Sequence, residues 1–186
     1  MLILASQSPR RKELLQMAGY SFRCVPSCAE EDMSQKGGAK ELTKALALCK
    51  AREVFAAHGE DIVIGSDTVV AIDDMVLGKP KDREEAKAML MALSGRVHTV
   101  ATGVAICHKG GEEVFCVAAE VEFYPLSDAE IEAYLNTNEY KDKAGAYGIQ
   151  GFGALLIKGI NGDFYTVMGL PIAELSRRLR KYEKFI

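Results

Sequence analysis

Apolar runs and amphipathic stretches alternate along the first third of the chain, a pattern that predicts strands separated by helices. Residues 2–5 are a short apolar run typical of a strand. Ser8 precedes a proline, a good N-cap and N1 pair, so we expect a helix over residues 9–18. We expect a second strand over residues 20–25 and a long helix over residues 39–58.

The central part of the chain predicts longer strands. Residues 61–71 are mostly apolar, and we expect a buried strand interrupted by Gly65-Ser66-Asp67-Thr68. Residues 97–107 and 113–124 are typical of paired strands around a glycine turn, and a helix is expected before them over residues 82–93.

The last part of the chain adds three local signals. A capping box at Ser127 opens a helix, Asn161-Gly162 predicts a β-hairpin, and Pro171 opens a last helix. The order of all these elements predicts an α/β fold with a mixed β-sheet and flanking helices.

Length indicates one globular domain over residues 1–186, or two small lobes that share one core. Hydrophobic residues make up 48% and charged residues 26%, which is ordinary for a folded protein. The net charge of −3 argues against a general nucleic-acid binder, because neutralising phosphates takes a concentrated basic surface. No run of about 18 apolar residues predicts a membrane span, and the N-terminus lacks the basic region of a signal peptide. The five cysteines suit reduced thiols, so we expect a cytoplasmic protein.

The segment Ser6-Gln7-Ser8-Pro9-Arg10-Arg11 is a candidate anion site. A strand ends there, hydroxyls follow, and a helix opens with two arginines, so free N–H groups, the helix dipole and guanidinium groups converge. Phosphate is the anion that this donor set favours. An ordinary capped helix with two surface arginines explains the segment equally well, and the chain has no Walker loop.

Asp67 is the strongest candidate for catalysis. Burying an acid within an apolar strand is costly unless the carboxylate is paired or bound to a metal. We expect Asp67 to lie near a strand end, where α/β folds bind ligands, and there it could hold Mg²⁺ or activate a water. A hydrogen-bonded turn aspartate is the alternative, which we favour less.

Three further positions have weaker signals. Lys79 lies in the turn Gly78-Lys79-Pro80, which can aim a cation at a phosphate. Lys50 is a similar candidate, although the edge of an amphipathic helix is its default interpretation. Glu31, in an acidic triplet, could supply a carboxylate to a hard-metal site, and a solvated loop is the simpler alternative.

Residues 142–153 form an unusual segment that contains four glycines among polar residues. Glycine lets a backbone approach a ligand closely. A flexible loop is the alternative, but Tyr147 and Ile149 are too apolar for a simple linker.

These motifs resemble those of the Maf family of nucleoside triphosphate pyrophosphatases. The matching pieces follow the family's order across nearly the whole chain; they are residues 4–15, 65–70, 78–80, 93–96, 142–150 and 169–171. The resemblance implies a fold similar to the inosine triphosphate pyrophosphatases of the Ham1 type, with two lobes around a cleft. It also implies hydrolysis between the α- and β-phosphates with Mg²⁺ or Mn²⁺ as the cofactor.

The resemblance implies roles for individual residues. Arg11, Lys50 and Lys79 match phosphate-binding positions, and Ser8 belongs to the same substrate site. Glu31 and Asp67 match the family's acidic, metal-holding positions. Asp67 also resembles the general base for the attacking water.

Substrate preference is implied by three positions, which are Arg10, Thr68 and Gln150. They resemble a branch of the family that prefers dTTP and UTP rather than a branch that prefers 7-methyl-GTP. A glutamine amide has a donor and an acceptor, so Gln150 could pair with the O4/N3–H edge of uracil or thymine. Tyr140 departs from the branch, which usually has proline there; this puts the stiffness of the loop in doubt and leaves the polar ligands in place.

The sequence therefore predicts a metal-dependent dTTP/UTP pyrophosphatase that cleans nucleotide pools, acting on normal or modified pyrimidine nucleotides. Because the family is also linked to inhibition of septum formation, a regulatory binding protein is the main alternative. A 7-methyl-GTP-type pyrophosphatase is the second. We expect neither nucleic acid nor a membrane as a partner, and the resemblance allows a homodimer.

Overall fold

The computed structural model describes residues 1–30, 37–73 and 75–185. Its strands are β1 (Leu2–Leu4), β2 (Phe22–Cys24), β3 (Ile62–Ile72), β4 (Met75–Leu77), β5 (Val97–His108), β6 (Gly111–Phe123) and β7 (Ile157–Asn161). Its α-helices are α1 (Pro9–Met17), α2 (Gly38–Ala57), α3 (Arg83–Leu93), α4 (Asp128–Asn136), α5 (Phe164–Met168) and α6 (Ile172–Leu179). Short 3₁₀ helices cover Ala144–Ala146, Gly151–Leu156 and Arg180–Phe185. Within the described residues, no helix is both long and apolar enough to span a bilayer.

The strands form one mixed sheet, as predicted. Their order is β2-β1-β3-β5-β6-β7, with β4 beside β3. β1 is parallel to β2 and β3, whereas the remaining pairs are antiparallel. The expected pairing of residues 97–107 with residues 113–124 is confirmed as the β5–β6 hairpin.

The central strand β3 leaves part of one edge open. On one side, β5 pairs with it from Val63 to Ala71. On the other side, β1 pairs with it only as far as Ile64, and β4 pairs with it from Val70 onward. Between Ile64 and Val70, this edge of β3 therefore faces no strand in the part of the chain that the structure describes. The gap opens the sheet to a ligand.

This arrangement corrects two expectations about Asp67. The sequence Gly65-Ser66-Asp67-Thr68 does not interrupt β3, which continues through it. Asp67 lies in the middle of the strand, opposite Gly103 of β5, rather than near a strand end. The physical reason is that β5 supplies backbone partners along the whole segment. The gap on the opposite edge gives Asp67 the access that a strand end would give.

Alternating side chains of β3 and β5 divide one face of the sheet into two halves. One apolar cluster joins this face to α1 and α6, and its members on β3 and β5 are Ile62, Ile64, Val104 and Ile106. A second cluster joins the face to α3 and α4, and its members on β3 and β5 are Ile72, Val70 and Val100. Between them lie Ser66, Thr68 and Thr102, which we call the polar belt. The two clusters correspond to the two lobes that the resemblance implied.

Helix α2 covers the opposite face and lies directly on the sheet backbone. A Cβ atom at Gly65 or Gly103 would overlap main-chain atoms of α2. Ala47 and Ala51 of α2 are fully buried against this face. Glycine at these two strand positions therefore sets the distance between helix and sheet.

The prediction of a β-hairpin at Asn161-Gly162 is wrong. β7 ends at Asn161, and the residues that follow form α5 rather than a returning strand. The Asp163 carboxylate accepts hydrogen bonds from the N–H groups of Tyr165 and Thr166, at 3.3 and 2.8 Å. Because this cap satisfies free amides of the first helical turn, it outweighs the turn preference of Asn-Gly. The capping box at Ser127 is confirmed at the start of α4.

We expect Gly103→Ala to destabilise the fold. The added methyl group must displace the carbonyl group of Thr43, and overpacking of this kind costs about 1–3 kcal/mol. Gly159→Ala is a matched control, because a Cβ atom at this position of β7 meets nothing within 4 Å. Urea unfolding measures both variants. An unchanged free energy of unfolding in Gly103→Ala would contradict the close packing of α2.

Candidate active site

A cleft of about 700 Å³ lies over the gap in β3. Its walls come from the end of β1 with the start of α1, the centre of β3, residues 142–149 and the turn after α5. Motifs that are distant in the sequence therefore meet in one place. The expected site residues that line the cleft are Ser8, Arg10, Arg11, Lys50, Asp67, Thr68 and Lys79.

One expected site residue that the structure describes, Gln150, is not among those that line the cleft. Gln150 is exposed and precedes the 3₁₀ helix Gly151–Leu156. Its neighbour Ile149 does line the cleft, so Gln150 lies one residue away from the cleft wall. Glu31 lies outside the described residues.

The start of α1 lines the cleft. Ser8 is the N-cap, as predicted, and its Oγ accepts from the N–H of Arg11 at 3.5 Å. The N–H of Ser8 donates to Ser6 Oγ at 3.1 Å. A helix N-terminus that opens into a cleft favours a bound anion.

Among the described residues, at least three acceptors hold the guanidinium of Arg11. Its Nε donates to the carbonyl oxygen of Gly169 at 2.9 Å, its Nη1 to Ser6 Oγ at 3.3 Å, and its Nη2 to Thr68 Oγ1 at 3.2 Å. These bonds connect the end of β1, the centre of β3 and the turn after α5. Because the group is already ordered, less conformational entropy is lost when a ligand binds.

Asp67 forms an ion pair with Lys50 on α2. The Lys50 Nζ lies 2.5 Å from Asp67 Oδ1, and the two side chains are 14% and 11% exposed. The pair supplies the partner that a buried carboxylate requires. A largely buried ion pair adds little net stability, because desolvation of both ions offsets their attraction. Its presence in a cleft therefore favours a functional interpretation.

The cleft concentrates positive charge. Its cationic side chains, among the described residues, are Arg10, Arg11, Lys50, Lys79 and Lys143. Two carboxylates, Asp67 and Asp142, lie with them. Burial lowers the pKa of Arg10, an effect that the nearby Asp142 partly opposes. In a protein with a net charge of −3, such a site is suited to a polyanion.

Lys143 is a cleft residue that the sequence analysis did not single out. Its ammonium donates to the carbonyl oxygen of Glu139. Burial is the main cause that lowers the pKa of Lys143, and repulsion from the nearby Arg10 cation lowers it further. Its place within the glycine-rich segment was the available signal. That segment has unusual backbone, since Asp142 and Ala146 adopt φ values of 60° and 62°, which favour glycine.

Tyr147 is an uncharged residue of the cleft wall and contacts the buried His98. Tyr147 lines the cleft, and its hydroxyl lies 2.7 Å from His98 Nε2. His98 is 3% exposed, and burial lowers its pKa to about 4, so its imidazole is neutral near pH 7. Burial raises the pKa of Tyr147. His98 Nδ1 has no hydrogen-bond partner among the described residues.

The donor set at the cleft fits a hard divalent cation. In the described ranges, no three His, Cys, Asp or Glu side chains come together. Mg²⁺, however, is usually held by one or two carboxylates together with substrate phosphates. The Asp67 carboxylate, buried in a cleft suited to phosphates, meets that requirement.

Known proteins resemble this chain both in sequence and in fold. The chain matches the family described as "Maf-like protein" over residues 1–182. It is 51% identical over 181 residues to the dTTP/UTP pyrophosphatase of Bacillus velezensis, covering 97% of this chain and 96% of that protein. It is 49% identical over 181 residues to the dTTP/UTP pyrophosphatase of Bacillus cytotoxicus, covering 97% and 95%. Its fold is similar to a HAM1 protein from Coxiella burnetii, with a TM-score of 0.52, 14% identity, and coverage of 97% of this chain and 98% of that chain.

The buried His98 predicts a loss of stability in mild acid. Its folded-state pKa of about 4 lies below the ordinary value of 6.5, so the unfolded chain binds more protons as the pH falls through this window. We expect this to remove about 2 kcal/mol of the free energy of unfolding between pH 7 and 5. His98→Gln keeps an acceptor for Tyr147 but has no imidazole to protonate, so its free energy of unfolding should fall by about 2 kcal/mol less between pH 7 and 5. Urea unfolding at pH 7 and pH 5 measures the free energy of unfolding of both proteins. An equal decrease in the wild type and in His98→Gln would contradict the role of His98.

Proposed function

Because this chain belongs to the Maf-like protein family, we propose that it is a nucleoside triphosphate pyrophosphatase that acts on dTTP and UTP. Water attacks the α-phosphorus, the α–β phosphoanhydride bond breaks, and the products are a nucleoside monophosphate and pyrophosphate. The observation that carries the proposal is the Asp67–Lys50 pair within a cleft lined by cationic side chains. Relatives at 49% and 51% identity that are named dTTP/UTP pyrophosphatase support the same substrates.

The cationic side chains bind the triphosphate. A nucleoside triphosphate carries about four negative charges, which must be offset before water can approach the α-phosphorus. Arg11, Lys50 and Lys79 come from distant parts of the chain and line the same cleft. The start of α1, with Ser8 as its N-cap, lines the same cleft, and the positive end of its helix dipole favours a bound phosphate.

Asp67 acts as the general base. Its carboxylate accepts a proton from the attacking water, which makes the water a better nucleophile. The neighbouring Lys50 orients this carboxylate through their short contact. An ammonium group has three donors, so Lys50 can bind the carboxylate and a phosphate oxygen together.

Mg²⁺ or Mn²⁺ is the proposed cofactor. Asp67 and, by the family resemblance, Glu31 would hold it together with phosphate oxygens of the substrate. When bound, such an ion polarises the phosphoryl group and neutralises part of its charge. The cationic side chains share this task.

Arg10, Thr68 and Gln150 are the proposed specificity residues. Arg10 and Thr68 line the cleft, and Gln150 directly follows Ile149, which also lines it. The amide of Gln150 matches the donor and acceptor edge of uracil or thymine. Pairing with Gln150 would select the base while the cationic side chains bind the phosphates.

We further propose that the reaction takes place in the cytoplasm, where nucleoside triphosphates and reduced thiols occur together. The cysteines are free thiols, as this setting requires. The homodimer and the lack of a nucleic-acid partner stay predictions.

Asp67→Asn should nearly abolish hydrolysis. The substitution keeps the size of the side chain and removes the proton acceptor, so we expect kcat to fall by about 10²–10⁴-fold. The assay follows pyrophosphate release from dTTP, UTP, CTP, GTP, ATP and 7-methyl-GTP with Mg²⁺ or Mn²⁺, and the wild type should prefer dTTP and UTP. Asp73→Asn changes a carboxylate that is 62% exposed and should leave kcat unchanged. If the folded wild type releases no pyrophosphate from any nucleotide, the proposed pyrophosphatase activity is refuted. The alternative of a regulatory binding protein is then favoured.

Gln150→Glu should weaken the preference for pyrimidines. A carboxylate cannot donate to O4 of the base, so we expect kcat/KM for dTTP and UTP to fall about tenfold relative to that for ATP. Gln16→Glu makes the same change at an exposed position of α1 and serves as the control. If Gln150→Glu has the wild-type ratio of UTP to ATP turnover, the base is selected elsewhere.

A further inference from the structure

Two threonine hydroxyls connect the buried side of α5 with the guanidinium of Arg11. Thr102, in the polar belt on β5, donates to the carbonyl oxygen of Thr166 at 2.8 Å. The Oγ1 atoms of Thr102 and Thr68 are 2.9 Å apart. Thr68 Oγ1 in turn accepts from Arg11 Nη2 at 3.2 Å.

The single hydrogen of each hydroxyl gives this series one direction. A carbonyl oxygen only accepts, so Thr102 directs its hydrogen to Thr166. In its contact with Thr68, Thr102 must then accept, and Thr68 is the donor. With its hydrogen placed there, Thr68 Oγ1 can only accept from Arg11, whose guanidinium only donates.

Burial makes this order strict. Thr102 and Thr166 are 0% exposed, so bulk water does not replace either partner. Without the Thr102 hydroxyl, the hydrogen of Thr68 loses its acceptor and can rotate toward Arg11, where it opposes the guanidinium donors. Thr102 therefore controls whether Thr68 presents a lone pair or a hydrogen to Arg11.

We propose that Thr102 is a positioning residue for phosphate binding: it fixes Thr68 as an acceptor, and Thr68 then holds Arg11 in the cleft. Thr102 itself is not among the described residues that line the cleft. The proposal rests on the proposed function in one respect, the binding of phosphate by Arg11. It gives Thr68 a part in phosphate binding as well as in base selection.

The test separates the hydroxyl from the shape of the side chain. Thr102→Val keeps the shape and removes the hydroxyl, and Thr102→Ser keeps the hydroxyl. Thr99→Val makes the same substitution on the opposite face of β5 and is the matched control. The probe is inorganic pyrophosphate with Mg²⁺, whose dissociation constant is measured by calorimetry and needs no turnover.

We expect Thr102→Val to raise the Kd for pyrophosphate about tenfold, since a hydrogen bond to a charged group is weakened. The KM for dTTP and UTP should rise by the same factor, with kcat changed by less than about twofold. Thr102→Ser and Thr99→Val should stay within about twofold of the wild-type Kd. A lower melting temperature for Thr102→Val with a wild-type Kd would mean a merely structural role and would overturn the proposal.

A double-mutant cycle tests whether Thr102 acts through Thr68. Thr68→Val should raise the Kd about tenfold, and adding Thr102→Val to it should have no further effect. Additive losses would overturn the proposal. If Thr102→Val does not fold, Thr68→Val is compared with Thr68→Ser, and equal Kd values for these two would overturn it as well.

A failure of the proposed function can be distinguished from a failure of the positioning role of Thr102. A wild type that binds pyrophosphate with this dependence on Thr102, but hydrolyses no triphosphate, would refute the proposed function and support the positioning role.

Discussion

The contact between α2 and the bare backbone of β3 and β5 is the constraint on which the site depends. Because Gly65 and Gly103 have no side chains, the helix lies at main-chain distance from the sheet. Lys50 comes from the part of α2 that touches Gly65, and Asp67 lies two residues beyond Gly65 on the same face of β3. The ion pair between Lys50 and Asp67 follows from this packing. A larger residue at either glycine would move the cation away from the carboxylate as well as cost stability.

The two faces of β3 contribute different chemistry to one cleft. The face toward α2 carries Asp67 and its ion pair, and the other face carries Thr68 of the polar belt. The gap between β1 and β4 lets residues from both faces reach the same opening. An interior strand paired on both edges would have buried these groups apart. The unpaired edge of β3 thus gives a ligand access to its side chains, as the end of a strand does in other α/β sites.

Charge is organised locally rather than over the whole molecule. The net charge is −3, yet the cleft gathers cations from α1, α2, the turn after β4 and the glycine-rich segment. Several of them are held before any ligand arrives: among the described residues, Ser6, Thr68 and Gly169 accept from Arg11, and Asp67 pairs with Lys50. Preorganised cations in a partly buried cleft stabilise charge that develops during a reaction better than mobile surface side chains do. This is the arrangement that phosphoryl chemistry requires.

The sequence by itself determined the local elements and indicated candidate site residues. Ser8 and Ser127 act over three or four positions, so their helix starts are confirmed, and the motifs around Arg11, Asp67 and Lys79 pointed to a phosphate site through their resemblance to the Maf family. The hairpin at Asn161-Gly162 was wrong because a second local signal, the Asp163 cap, is stronger. Only the tertiary structure decided the partners: Arg11 and Gly169 are 158 positions apart, and Lys50 meets Asp67 only through helix–sheet packing. Contacts of this kind depend on how elements pack, and no local pattern of residues encodes which distant group will face which.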